Sequence, residues 1–283
     1  MKKSKFAKLI LPIALPAVFF AIFNSSQKPL TAQNSSVHLT MGNPSGATNS
    51  GTTSNNLLLV KPQYVTSHNC AKGIPNWVSW QLNSSWLGSA PRQDDFRANT
   101  TLPSGCYRVT NSSYTGSGFD RGHMAPSADR TNTITNNSAT FLMTNIIPQA
   151  PDNNQGVWAN LEDYSRSLVT QGKELYIIAG GYGTGGIGSS GSRTTIDSGR
   201  VTVPARTWKV IVVLDRPGLG VNGVTNATRV IAVDIPNEQG VRNANWRNYR
   251  VSVDTLESRT GYDFLSQVST SIQSTIEARV DNL

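Results

Sequence analysis

The chain has 283 residues, of which 37% are hydrophobic, enough for a sizeable core, while its three histidines and two cysteines are too few and too scattered for a zinc cluster. Its 25 basic residues outnumber 17 acidic ones, but residues 1–32 hold five of the lysines and no acid, so the remainder carries 20 against 17, or +3. The high isoelectric point therefore belongs mostly to the N-terminal segment, and composition alone is weak ground for nucleic-acid binding.

Taken in chain order, Lys2, Lys3, Lys5 and Lys8 precede an uncharged apolar run from Leu9 to Phe23, the pattern of a secretory signal peptide. A run of about fifteen residues that contains Pro12 and Pro16 falls short of the ~20 needed to cross a bilayer. No clean Ala-x-Ala site follows. Cleavage after Ala32 is the expectation, with an uncleaved anchor as the alternative. Residues 33–283 would then form one domain outside the cell or in the periplasm. Residues 42–56 read as loop. Short alternating or β-branched runs at Leu57–Val60, Trp77–Leu82, Leu175–Ala179, Trp208–Leu214 and Arg229–Ile235 predict strands. Cys70 and Cys106 fit one disulfide of an exported protein. Closing that loop would stabilise the fold by ~3–4 kcal/mol; two buried thiols are the other possibility. The segment 153–171 predicts a helix. Gly180–Ser192 is glycine-dense, lacks the Gly-Lys-Ser/Thr ending of a phosphate loop, and reads as a flexible connection. A second helix is predicted over 263–280, with Phe264, Leu265, Val268, Ile272 and Ile276 at helical spacing. Strands outnumber helices and connections are short, which predicts an α+β fold with a mainly antiparallel sheet.

His38 and His68 sit in strand-like contexts without acidic neighbours and read as structural. His123 differs, because Phe119-Asp120-Arg121-Gly122-His123-Met124-Ala125-Pro126 packs an acid, a base, a glycine and an imidazole into four residues. Glycine lets the backbone turn sharply, and Pro126 stiffens the exit. A salt-bridged turn would explain the same cluster. A second constellation follows Asn145-Ile146-Ile147-Pro148-Gln149: Asn154, Trp158, Glu162 and Arg166 stand four apart and would form one drifting stripe on a helix. Asn154 and Glu162 would lie ~12 Å apart along the axis. A hydrated ion bound directly by Asn154 could place a water near Glu162, which suits Mg²⁺. The plainer alternative is an amphipathic helix with Trp158 in the core and Glu162–Arg166 as a surface pair.

Together, the Asp-Arg-Gly-His-Met-Ala-Pro run and the Asn-x₃-Trp-x₃-Glu pattern resemble the DNA/RNA non-specific endonuclease family, the sugar-non-specific ββα-metal nucleases, with the cyanobacterial nuclease A type as the nearest pattern. The resemblance extends from Val37-His38-Leu39 and Gly42-Asn43-Pro44-Ser45 to near the C-terminus. It implies a central, mostly antiparallel sheet flanked by helices, and a ββα element with the histidine on its β side and the metal on its helix. It further implies cleavage of single- or double-stranded DNA and RNA, with His123 as general base. Mg²⁺ or Mn²⁺ would sit directly on Asn154 and, through water, on Glu162. Arg92, Arg121 and Arg166 are phosphate-binding candidates, Arg92 and Arg166 foremost. Asp120 would buttress the loop or a metal-bound water. A water nucleophile ignores the 2′-hydroxyl and leaves 5′-phosphates. An intracellular protein inhibitor would protect the producing cell. Two rivals are a binding protein on a dead nuclease scaffold and a different metal hydrolase. The presence of His123 and Asn154 argues against the first. The lack of a His-Glu-x-x-His motif argues against a zinc peptidase.

Overall fold

The computed structural model describes residue 1, residues 36–50 and residues 52–283, so the signal-peptide reading over 1–32 lies outside the described residues. In chain order the strands are β1 (Leu57–Val60), β2 (Val65–Asn69), β3 (Ile74–Leu82), β4 (Asp120–His123), β5 (Ile146–Gln149) and β6 (Glu174–Tyr182). They continue as β7 (Gly186–Gly188), β8 (Gly191–Arg193), β9 (Thr195–Ile196), β10 (Val201–Thr202), β11 (Arg206–Leu214), β12 (Arg229–Pro236) and β13 (Arg250–Val251). Seven of them form one sheet in the order β1-β2-β3-β6-β11-β12-β13, antiparallel at every pairing. All five predicted strands lie within observed ones. The α+β fold with an antiparallel sheet follows from those runs.

Both faces of the sheet are buried, which is why its central strands read as nearly continuous apolar runs. Along β11, Ile211 and Val213 face one core with Trp80, Ile177 and Ile231. Val210, Val212 and Leu214 face the other with Trp77, Ile178 and Val230. The first core is covered by β4, β5 and α2 (Ala159–Thr170, preceded by α1 at Ile134–Ala139) through Met124, Ile146, Ile147 and Leu161. The second is covered by α3 (Val253–Thr260) and α4 (Thr270–Ile276) through Val253, Leu256 and Ile276. Helix α2 stops where Gly172, at φ +86°, lets the Lys173 amide return to the Leu168 carbonyl at 3.1 Å. Among the described residues no helix is long and apolar enough to cross a membrane.

Three departures have local causes. The predicted 263–280 helix is only Thr270–Ile276. Phe264, Leu265 and Val268 are buried as expected, but the Asp263 and Gln267 amides bond to the Pro44 and Met41 carbonyls, so the intrahelical ladder cannot form there. The Gly180–Ser192 segment is not simply a flexible connection. Strand β6 runs into it as far as Tyr182, and β7 and β8 make a small hairpin. Gly188 sits against Phe119, where an added Cβ would lie 2.9 Å from the ring. His38 lies in a short 3₁₀ turn rather than a strand. Cys70 and Cys106 are joined in a disulfide.

Both structural histidines are buried, and burial lowers each to a pKa of about 4. His38 is held by the Pro62 carbonyl at 2.8 Å and the Gln81 amide at 3.1 Å, whereas neither ring nitrogen of His68 has a partner among the described residues. An unfolded histidine takes its proton near pH 6.5, the folded ones only near 4. The folded state therefore binds fewer protons in this window, and stability present above about pH 6.5 is lost as pH falls towards 4. The melting temperature should drop from pH 7 to pH 5, and His68→Leu should flatten that drop. An acid slope unchanged in the variant would remove His68 as a contributor.

Candidate active site

Strands β4 and β5 form a four-residue hairpin with His123 opposite Ile146 and Asp120 opposite Gln149. The chain then enters a π-turn at Asn153–Trp158, which continues directly into α2. This β-β-helix unit lies on the first core. Gly122 does not serve as a sharp turn, since it is a strand residue paired with Ile147. Its need is steric: an added Cβ would overlap Gln149 Oε1 and come within 2.6 Å of the Gln149 Cβ. Beyond His123, the fully buried Asn145 pins the exit. Its carboxamide oxygen accepts from the Ala125 amide at 3.0 Å, and its nitrogen donates to the Ala125 and Thr140 carbonyls, each at 2.8 Å.

The His123 ring lies edge-on to Phe96 and Phe141, with centroids at 5.4 and 4.9 Å. Each of those rings carries a guanidinium, Arg121 over Phe96 at 4.2 Å and Arg92 over Phe141 at 4.8 Å. Burial, then the charges of Arg92 and Arg121, lower the imidazole pKa to about 3, well below the 6.5 of a free histidine. His123 is thus neutral at rest, as expected, but for a stronger reason than its ordinary pKa. Its Nε2 is buried without a partner among the described residues.

Arg92, Phe96, Asp120, Arg121 and Asn154 line one cleft of about 350 Å³. Asp94, with a left-handed φ of +55°, bends the loop that presents Arg92 and accepts from its Nε at 3.2 Å. Asp120 Oδ2 receives the amide nitrogens of Asn154 at 2.8 Å and Gln155 at 2.7 Å. That fixes the Asn154 side chain, and its Oδ1 accepts no hydrogen bond among the described residues. A neutral amide oxygen beside a carboxylate suits a hard, hydrated cation.

Glu162 and Arg166 belong to an adjoining buried cluster and do not line that cleft. The π-turn breaks the straight i, i+4, i+8 stripe. Asn154 reaches across to β4, whereas Glu162 faces Lys209 Nζ at 3.7 Å. Burial raises the Glu162 carboxyl to about 7, with Lys209 opposing that rise. Lys209, 1% exposed, lies over the Trp158 ring at 4.0 Å. Arg166 donates to Asp129 Oδ1 at 2.9 Å and pairs with Asp163, so its guanidinium is engaged by protein carboxylates. Asp129 also accepts from Trp80 Nε1 at 2.9 Å. The Ser127–Asp129 turn joins the two clusters, because Arg92 Nη1 donates to Ser127 Oγ at 2.9 Å. Lys209, Phe96, Phe141 and Asn145 went unassigned in the sequence. Only Lys209 left a signal, as a lone charge in an apolar strand.

A neutral imidazole on β4, two guanidiniums across it and a helix-borne amide beyond are thus gathered on one β-β-helix element. The chain belongs to the DNA/RNA non-specific endonuclease family, which it matches over residues 41–271, and it is a nuclease. It is 60% identical over 260 residues to a nuclease of Nostoc sp., covering 91% of this chain and 92% of that one. It is also 26% identical over 273 residues to a nuclease of Serratia marcescens, covering 94% and 93%. Among solved structures, a chain of the EndoG/EndoGI complex shares the fold, with a TM-score of 0.69 at 23% identity over 86% of this chain and 96% of that one.

Replacing Gly122 by alanine tests the steric reading. The methyl must displace Gln149, so Gly122→Ala should lose about 1–3 kcal/mol of stability and lower kcat by moving His123. A variant as stable and active as the parent would reject it.

Proposed function

We propose that the chain is an exported endonuclease that hydrolyses phosphodiester bonds of DNA and RNA to products with 5′-phosphates, with His123 as general base. The observation that carries this reading is the seat of His123, a neutral imidazole between two rings that each bear a guanidinium. Arg92 and Arg121 can each grip a phosphate through two N–H groups. A phosphate bound there offsets the positive charge that helps hold the imidazole down, so the base gains proton affinity as substrate arrives. His123 then takes a proton from the attacking water. The 3′ oxygen departs and the phosphate stays on the 5′ side. No step uses the 2′-hydroxyl, so one site serves both sugars. Mg²⁺ or Mn²⁺, held directly by Asn154 and through water by Glu162, would supply Lewis-acid stabilisation of charge on the phosphate and leaving oxygen. Asp120 orients the Asn154 amide, while Lys209 and Asp129 set the charge around Glu162. Arg166, engaged by Asp129 and Asp163, has the weaker claim to direct phosphate contact.

Export is supported by the basic-then-apolar N-terminus and by the Cys70–Cys106 disulfide, which fits an oxidising compartment. Such an enzyme endangers the cell that makes it. A protein inhibitor is therefore part of the same reading, and one structural neighbour, from the EndoG/EndoGI complex, concerns the mechanism of EndoG inhibition.

His123→Ala should lose ~10²–10⁴-fold in kcat with little change in DNA affinity. Near-parental cleavage would remove His123 as the base.

Titrating Mg²⁺ and Mn²⁺ against cleavage separates the two metal roles. Asn154→Ala should raise the metal concentration for half-maximal activity. Glu162→Ala should chiefly lower the maximal rate, by about 10–100-fold. The reverse pattern would exchange the inner and outer roles.

A further inference from the structure

On the sheet face away from the nuclease cleft, Asp254 and Glu257 of α3 and Glu277, which caps the C-terminus of α4, bring carboxylate oxygens within 4.8 Å of one another. Glu277 is 6% exposed, its Oε1 is shut off from solvent, and neither of its carboxylate oxygens accepts a hydrogen bond among the described residues. The charged groups acting on it are Glu257, Asp254 and Asp263, all acidic, and no cation is among them. Glu257 meets Asp263 and Asp254, and the Phe264 amide at 2.9 Å is its one hydrogen-bond donor. The C-terminal end of α4 adds the negative pole of its peptide dipoles at the same place. Burial beside these acids raises the Glu277 carboxyl to about 7, so the cluster is relieved either by a proton on Glu277 or by a cation that joins it.

We propose that Asp254, Glu257 and Glu277 form a calcium site, separate from the catalytic metal position, that fastens the C-terminal helix to the fold. Mg²⁺ demands near-ideal octahedral geometry and keeps most of its waters, so three carboxylates gathered from two helices suit the larger ion. Calcium also tolerates irregular carboxylate geometry and completes its shell with water, and the exposed Asp254 opens the site to solvent. The site spans α3 and the end of α4, already joined by the Asp254 amide and the Glu277 carbonyl at 3.2 Å. Just beyond, Asp281 pairs with Arg229 at 2.7 Å and Arg250 at 3.4 Å, so an ion here would reinforce the docking of the last turn of the chain.

The test uses the full chain carrying Asn154→Ala, which weakens the catalytic metal position, and measures Ca²⁺ binding by calorimetry and the melting temperature in EDTA and in millimolar Ca²⁺. One bound Ca²⁺ and a rise of about 3 °C or more are expected. Adding Glu277→Gln should abolish that rise while making the protein more stable than its parent in EDTA, because a buried unpartnered charge is gone. Adding Asp254→Asn, a surface change that leaves the core intact, should weaken Ca²⁺ binding by about 10-fold or more. Absence of Ca²⁺ binding and of any thermal shift in the Asn154→Ala protein would overturn the proposal. So would Ca²⁺ affinity that survives both Glu277→Gln and Asp254→Asn.

Discussion

A pair of four-residue strands cannot hold itself together in water, yet His123, the proposed base, sits on one. What holds it is a set of buried carboxamides that satisfy irregular backbone where no ladder can. Asn145 bonds to the chain on both sides of Ala125. Asn237 does the same for the far strand, donating to the Pro148 carbonyl at 3.0 Å and accepting from the Ala150 amide at 2.7 Å. Asn153 ties the start of the π-turn to Thr207 at 3.0 Å and to the Pro236 carbonyl at 2.7 Å, and accepts from Gln149 at 2.6 Å. Buried backbone without partners is costly, and these amides remove the cost while fixing position. The site is therefore referenced to β11 and to the end of β12 in the main sheet.

The same sheet supplies the electrostatics. Lys209 replaces an apolar residue on the β11 face that holds Ile211 and Val213, and its charge is placed between Trp158 and Glu162. A buried ion pair is a poor source of stability compared with apolar packing. Its presence in the core is better understood by what it does to Glu162, whose carboxyl burial alone would push further towards the neutral form. Asp129 and Arg166 extend this network to the turn that also contacts Arg92. The cleft and the Glu162 cluster are thus joined through the Ser127–Asp129 turn.

Much of this was legible in the sequence, and the parts that were not have a common physical reason. β-branched runs marked the strands because a half- or fully buried pleat demands them. Asp120, Arg121 and His123 stand out as a charged cluster around a glycine, and Asn154 by its four-residue spacing to Trp158 and Glu162. A salt-bridged turn and an amphipathic helix explain the two patterns as well, and only the family resemblance separates the readings. Periodicity failed wherever hydrogen bonds run between segments distant in sequence. Residues 263–268 keep helical spacing of buried residues but bond to Met41 and Pro44. The Asn154–Glu162 stripe is broken by a π-turn whose Gly156 packs on Arg242, where an added Cβ would fall 2.5 Å from its Cα. Gly122 and Lys209 answer to Gln149 and Glu162, partners that only the folded chain brings near.

Taken together, these features bear on how a chain whose residues 33–283 carry only +3 can handle a polyanion. Many of its cations are exposed, but two stand on the aromatic rings that flank His123 and lower its pKa. On the proposed mechanism the cations that await phosphate also suppress the proton affinity of the imidazole in the free enzyme. A bound phosphate would relieve both conditions at once, pairing the guanidiniums and restoring the base. On the proposed mechanism, substrate charge is therefore a component of the catalytic site. An uncharged analogue of the backbone would fail for two coupled reasons, loss of its grip on Arg92 and Arg121 and a base left weak by their unpaired charge.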